Sequence, residues 1–472
     1  MRTAFAAVLA SVALLTGCAT MSSPAERDPN APDVTVTRDG DHWSADYVLP
    51  ADAPAWAFLR SALARENRQP WRLGQWTLET PGVVLERRGH LDVIRSLDGG
   101  PVPRRLRFRL TPKAEDLEAD YDPALVFTDG SVAMFSGHFD VIPLTSAEQA
   151  DSLPLDLKDV DIQKSNARIM WQDRAGPVLF EGERRRNPVS DTGTIYVLFG
   201  QADLVDSPRL ATVIDPGLPA WIGTEIGEFA PKVADYYARR LGPGQTDKPT
   251  IMVSWNGPTP HLRSMGGSVL PGLIIMAFEG DSVVEPSTEV ADHTRWFIGH
   301  ESAHFWLGQT VRYERSRDSW ITEGGSDLMA MRAMAEISPS YDVRSALQEE
   351  VDDCIDLADE PVGEANSRGE HRAYYACGAV FALVAEGFQR RATGGDWFDF
   401  LKPLIGANRE DGVLTRQEWF EALDRLSGDP AVRADVETLL DRGSDEAATL
   451  VARLLDRGGI GYRLEDGKVR LT

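Results

Sequence analysis

The sequence predicts an α+β multidomain protein. A β-rich N-terminal domain over 34–206 precedes a mixed domain over 207–397 and a short helical C-terminal region over 398–472. Three observations carry this. A chain of 472 residues exceeds what one hydrophobic core usually organises. Up to about Asp206, short apolar stretches alternate with turn residues, and after Leu210 the apolar positions shift to a helical period. The composition, 42% hydrophobic and 26% charged, is that of a globular chain rather than a fibrous or unfolded one.

Residues 1–18 read as a targeting signal. Arg2 is followed by an apolar run from Ala4 to Leu15, shorter than the roughly 20 residues a membrane span needs. The run closes in Leu15-Thr16-Gly17-Cys18, which resembles a bacterial lipobox, so Cys18 is the expected site of lipid attachment. An ordinary secretory signal with a chance cysteine is the alternative. A lipid at Cys18 would anchor the chain in the cell envelope, and Ala19 after it favours the outer membrane, facing the periplasm. Residues 19–33, rich in Ser, Pro, Asp and Asn, read as a flexible tether.

In the N-terminal domain, Arg105 to Leu110, Ala124 to Phe127 and Thr194 to Leu198 read as strands. Asp39-Gly40, Asp98-Gly99 and Asp129-Gly130 mark turns, and a helical insert is expected around Ala55 to Arg65. In the second domain, Ile226, Phe229, Val233 and Tyr237 line one face of a helix from Glu225 to Leu241. Strands are expected at Thr250 to Trp255 and Gly272 to Phe278. Helices follow at about Asp292 to Gln309, Thr322 to Ala335, Val343 to Leu357 and His371 to Arg391. The C-terminal region is mostly helical and ends in a hairpin around Asp466-Gly467.

A formal net charge of −24 argues against nucleic acid or anionic headgroups as partners. Membrane contact is therefore expected through the lipid alone. Cys354 and Cys377 form an even pair outside any metal pattern, and a disulfide between them is left open.

The chemistry concentrates in Ile298-Gly299-His300-Glu301-Ser302-Ala303-His304. Histidines four apart on a helix share a face and can reach one metal ion, and the glutamate beside the first faces the metal's open side. Zinc in such a site lowers the pKa of a bound water toward about 7, and Glu301 takes its proton. A third ligand must come from another element. Glu323 follows His304 after 18 intervening residues and opens the next expected helix. The metal set is thus His300, His304 and Glu323, with one Zn²⁺ per chain and Glu301 as catalytic base. His42, His90, His138, His261, His293 and His371 lack ligand spacing and are read as structural or surface residues.

Over roughly Gly266 to Val380 the chain resembles the aminopeptidase N family of gluzincin metallopeptidases. The motifs that carry this are HExxH, the 18-residue spacing, His304-Phe305-Trp306-Leu307-Gly308 and Asp318-Ser319-Trp320-Ile321-Thr322-Glu323-Gly324. The resemblance implies a thermolysin-like catalytic domain behind the β-rich one. Asp327, one helical turn after Glu323, is similar in place to the aspartate that orients a zinc-bound histidine in thermolysin-like enzymes, the alternative being a solvent-facing or helix-internal salt bridge. The resemblance also assigns Tyr375, in Tyr375-Ala376-Cys377-Gly378-Ala379, as donor to the oxyanion, with Tyr374 an adjacent competitor and Cys377 where the family has lysine.

The family's Gly-x-Met-Glu-Asn run pairs with substrate as an added strand, and its glutamate holds the substrate's α-amine. Here the matching strand is Gly266-Gly267-Ser268-Val269, so valine stands where the glutamate belongs. A buried ammonium without a carboxylate is costly. The expected activity is hydrolysis of peptide or protein substrates with no need for a free N-terminus. One alternative is an aminopeptidase whose amine site is relocated to Glu279, Asp281 or an acid of the N-terminal domain. The other is a non-catalytic peptide-binding lipoprotein on the same fold.

Overall fold

The structure is a computed structural model and describes residues 28–472 except 119, 156, 158, 159, 192, 193, 208, 209, 247, 466 and 467. The signal, Cys18 and most of the tether lie outside the described residues.

The β-rich region opens with strands Asp33–Asp39 and His42–Val48, where Asp39 pairs with His42 across the two-residue loop Gly40-Asp41. Gly40 has φ +59°, a conformation a two-residue hairpin loop demands and glycine supplies cheaply. Along the second strand Trp43, Ala45 and Tyr47 are buried and their neighbours are not, the period of two that a sheet with one covered face imposes. These strands lie inside a six-stranded sheet, and sheets of four and five strands complete the region.

Ala55 to Arg65, expected as a helical insert, is not helical. Ala55–Phe58 is a strand between Val141–Leu144 and Leu91–Ser96, with all four side chains buried. An apolar run covered on both faces carries no alternation, so its period is silent about strand or helix.

The second five-stranded sheet runs in the order Leu204–Asp206, Ala211–Ile214, Thr250–Trp255, Leu273–Glu279 and Ser264–Leu270. Its three middle strands are parallel, and Ser264–Leu270 is an antiparallel edge strand. The helix Ala220–Leu241 crosses over between the first two parallel strands. Both faces of this sheet are covered. Ile251, Val253, Ile274 and Met276 face the helices, while Val213, Met252, Leu273 and Ile275 pack against Leu125, Leu179, Tyr196 and Leu198 of the β-rich region. The edge strand is thereby brought beside residues from the first part of the chain.

The helices that follow are Thr288–Ala303, Trp320–Ile337, Val343–Leu357 and Arg372–Thr393. The first ends six residues before the expected Gln309, because the chain turns at His304 to fold Leu307 back. Cys354 and Cys377 form a disulfide joining the last two helices, with Cα atoms 4.6 Å apart and both residues fully buried. Four further helices lead to the antiparallel hairpin Tyr462–Glu465 and Lys468–Leu471.

Candidate metal and catalytic site

The two-histidine helix Thr288–Ala303 starts at Ser287, whose side chain accepts from the Val290 N–H, and Glu289 sits in its positively polarised first turn. Its last turn is buried, and Ile298 anchors it in the core. Just beyond it, Trp306 donates its indole N–H to the Gly242 carbonyl at 3.0 Å. Gly308, at φ +138°, turns the chain so that the Leu307 carbonyl lies 2.8 Å from His304 Nδ1. His-x-Trp-x-Gly is therefore a device for orienting one imidazole.

His300 Nδ1 lies 2.8 Å from Asp327 Oδ1, and Asp327 is fully buried. Each neutral imidazole carries one N–H, and here both acceptors stand at Nδ1. Both Nε2 atoms then carry lone pairs, and they face each other at 3.0 Å. Glu323 Oε2 stands 3.6 Å from His300 Nε2 and 3.4 Å from His304 Nε2. Among the described residues these three form the one group of His, Cys, Asp or Glu whose ligand atoms converge to hold a metal, all within 4.8 Å of one another. Two imidazole lone pairs and a carboxylate aimed at one point repel unless a cation sits between them. The donor set, two nitrogens and one oxygen, fits zinc with a fourth position open. When the imidazoles are protonated instead, their charge and their Nε2–H groups, His304 foremost, outweigh the burial that opposes ionisation and hold the Glu323 carboxyl well below the usual range.

A glycine crossing sets the distance between the last two site elements. Glu323 opens the helix Trp320–Ile337, and Tyr375 lies in the first turn of Arg372–Thr393. A Cβ on Gly324 would come within 2.3 Å of Gly378 Cα, and one on Gly378 would meet the Trp320 carbonyl oxygen at 2.3 Å. The two backbones touch there, and Tyr375, one turn before Gly378, is carried to the cluster. Its ring stacks on His300 with centroids 5.5 Å apart, and its hydroxyl lies within the influence of Glu323. Tyr374 points elsewhere: its hydroxyl is engaged by the Gly363 carbonyl and the Asn366 N–H.

Glu301 is buried beside His300 and His304, and burial pushes its carboxyl up. Burial likewise raises the Tyr375 phenol, with Glu323, Glu301 and Asp327 adding to the shift, so it stays protonated.

Gly266, Gly267, Ser268 and Val269 lie on the edge strand, where Val269 pairs with Ile274 and packs against the core that holds the helices. Gly267 passes so near that a Cβ would come within 3.0 Å of Phe297 on the two-histidine helix. Two residues that the sequence reading missed reach this strand's end. Tyr121, from the β-rich region, donates its hydroxyl to the Val269 carbonyl at 3.4 Å and lies within the field of Glu301. Gln309 donates to the Leu270 carbonyl at 2.8 Å. Neither sits in a motif, so long-range packing alone reveals them.

No family model and no curated protein matches the chain. Solved structures do match. An aminopeptidase N family protein from Idiomarina loihiensis aligns over 89% of this chain and 78% of its own, with a TM-score of 0.60 at 10% identity. An M1 zinc metallopeptidase from Deinococcus radiodurans, solved as a substrate-bound variant, aligns over 87% and 92% with a TM-score of 0.47 at 15% identity. Leukotriene A4 hydrolase from Saccharomyces cerevisiae aligns over 90% and 70% with a TM-score of 0.48 at 13% identity. The β-rich first part, the mixed sheet and the helices after it are thus similar in fold to the Idiomarina aminopeptidase N family protein.

Proposed function

We propose that the chain is a zinc metallopeptidase, thermolysin-like in its catalytic part, that hydrolyses peptide bonds without requiring a free substrate N-terminus. The observation that carries this reading is the convergence of two imidazole lone pairs and a carboxylate beside a buried glutamate. Zinc held there would act as a Lewis acid and lower the pKa of water toward about 7. Glu301, raised by burial, takes the water's proton and returns it to the leaving amine. Tyr375, which keeps its proton, would donate a hydrogen bond to the developing oxyanion. Asp327 holds the His300 proton on Nδ1 and so keeps Nε2 free as a ligand.

The geometry also bears on the missing amine site. Glu279 pairs with Ser264, five positions along the edge strand from Val269, or about 17 Å at strand spacing. Asp281 lies farther still along the chain. Asp120, beside Tyr121, is committed to Arg60 at 2.5 Å. Valine at 269, which offers a substrate ammonium only apolar surface, supports indifference to the substrate's α-amine. The buried disulfide supports an oxidising compartment, in keeping with a lipid anchor at Cys18 in the cell envelope.

The test is a panel of peptides with free and N-acetylated termini, incubated with zinc-loaded wild type and with Glu301→Gln. We expect cleavage of both series by wild type and of neither by the variant, with zinc content unchanged. Strong preference for the free amine would restore the aminopeptidase reading. Stoichiometric zinc with no turnover by wild type would favour the binding module.

A further inference from the structure

Behind His300 lies a cluster of charge that the reaction does not use. Asp327 Oδ2 is buried and accepts no hydrogen bond, and the guanidinium of Arg372 approaches it with Nη1 at 3.9 Å. The same guanidinium reaches Glu350 Oε2 at 3.0 Å through Nη2 and Asp353 Oδ2 at 2.7 Å through Nε. Arg372 thus lies among three carboxylates, two of them buried. Nε donates a hydrogen bond to Asp353, while Asp327 Oδ2 and Glu350 Oε2 meet the guanidinium as opposite charges, and its flat, delocalised cation faces all three carboxylates at once.

The partners sit on two helices. Glu350 and Asp353 belong to Val343–Leu357, and Arg372 opens Arg372–Thr393, the helix that carries Tyr375. The disulfide ties these helices at Cys354, one residue after Asp353, and at Cys377, five after Arg372. The crosslink therefore lies close in sequence to Asp353 and to Arg372, on the two helices that the ion cluster joins.

We propose that Arg372 is a positioning residue for the metal site, held in place by the Cys354–Cys377 crosslink. It steadies the outer oxygen of Asp327, so that the inner oxygen keeps the His300 proton on Nδ1 and the ring aimed at the metal. The proposal rests on the zinc reading above. It extends that site two side chains outward and gives the disulfide a role beyond stability.

The experiment is a zinc affinity measurement by competition with a chromogenic chelator, which needs no turnover. It uses wild type, Arg372→Gln, Arg372→Lys, the double variant Cys354→Ala with Cys377→Ala, and the triple combination with Arg372→Gln. Removing a residue that orients a ligand typically costs 10–100-fold in metal affinity, and one step further out we expect about tenfold for Arg372→Gln. Arg372→Lys, which keeps the charge but not the fork, should recover part of it. In the background without the disulfide, Arg372→Gln should cost less than it does with the disulfide present. Circular dichroism and the Tm of the apo forms identify any variant that has merely failed to fold, and Arg372→Lys then carries the comparison. Equal zinc affinity in wild type and folded Arg372 variants overturns the proposal while leaving the zinc reading intact. Wild type that binds no zinc overturns both.

Discussion

In the β-rich region Arg72 is fully buried, its guanidinium 4.0 Å from the Phe58 ring centroid and flanked by Trp71 and Trp76. Asp92 answers it at 2.6 Å, Arg87 holds the other Asp92 oxygen at 2.9 Å, and the carbonyls of Arg60 and His138 accept from Nη2. In the helical region His300, His304 and Glu301 are buried and Glu323 is partly so, and here the donor atoms of the two histidines and Glu323 converge on one another. Both regions took charge out of water, which is costly unless it is compensated. The first compensates it within the fold. The second gathers donors of the kind that hold a cation, and this difference separates a strut from a candidate site.

The sharpest way to break the comparison is to take one partner from the strut. Arg72→Met leaves Asp92 buried with Arg87 alone, and breaking such a pair costs about 3–5 kcal/mol. We expect that loss in denaturant unfolding of the apoprotein, with zinc affinity unchanged in the fraction that folds. A loss of zinc affinity equal to the loss of stability would mean that the two regions share one role.

Next in size is the removal of a donor from the site. Tyr375→Phe keeps the ring stacked on His300 and deletes the hydroxyl. Loss of an oxyanion donor costs about 10²–10³ in kcat, roughly 3–4 kcal/mol. We expect that drop with little change in KM and no loss of stability. Here the site behaves oppositely to the strut: function falls and the fold does not.

Gly378→Ala tests how the two requirements meet. Its Cβ would press on the Trp320 carbonyl oxygen at 2.3 Å, and such overpacking costs about 1–3 kcal/mol. The helices bearing Glu323 and Tyr375 must part to admit the methyl group. We expect a lowered Tm together with weaker zinc binding; full zinc affinity at a lowered Tm would show that the crossing serves stability alone.

These contrasts also explain what the sequence revealed. His300, Glu301, His304 and Glu323 were legible because metal chemistry fixes residue type and spacing together. Tyr375 was legible through Gly378, since a backbone crossing leaves a glycine in the sequence. The strand at Ala55–Phe58 was not, because burial on both faces erases the period that would identify it. Arg72, Tyr121 and Arg372 were not legible either. Each acts on residues brought near only by folding, as Tyr121 does on Val269, 148 positions away. Pairing across such separations leaves no local pattern.

The most gradual expected effect concerns pH. Asp140, in the β-rich region, is buried and accepts from the Ala167 N–H at 2.7 Å, and burial raises its carboxyl from 3.8 to about 7. The folded state therefore keeps a proton that the unfolded chain has already released in that window. Since the folded state binds more protons there, stability falls as pH rises from about 4 to about 7. One proton contributes a slope of at most about 1.4 kcal/mol per pH unit. Asp140→Asn retains an oxygen for the Ala167 N–H but cannot ionise. Unfolding free energies of the apoprotein across this window should decline less steeply for the variant, with Asp122, also raised to about 7 by burial, accounting for part of the slope that remains. Because Asp140 belongs to the β-rich region and not the site, zinc affinity should keep its own pH dependence in the variant. Parallel stability slopes for wild type and variant would mean that Asp140 is already ionised in the fold.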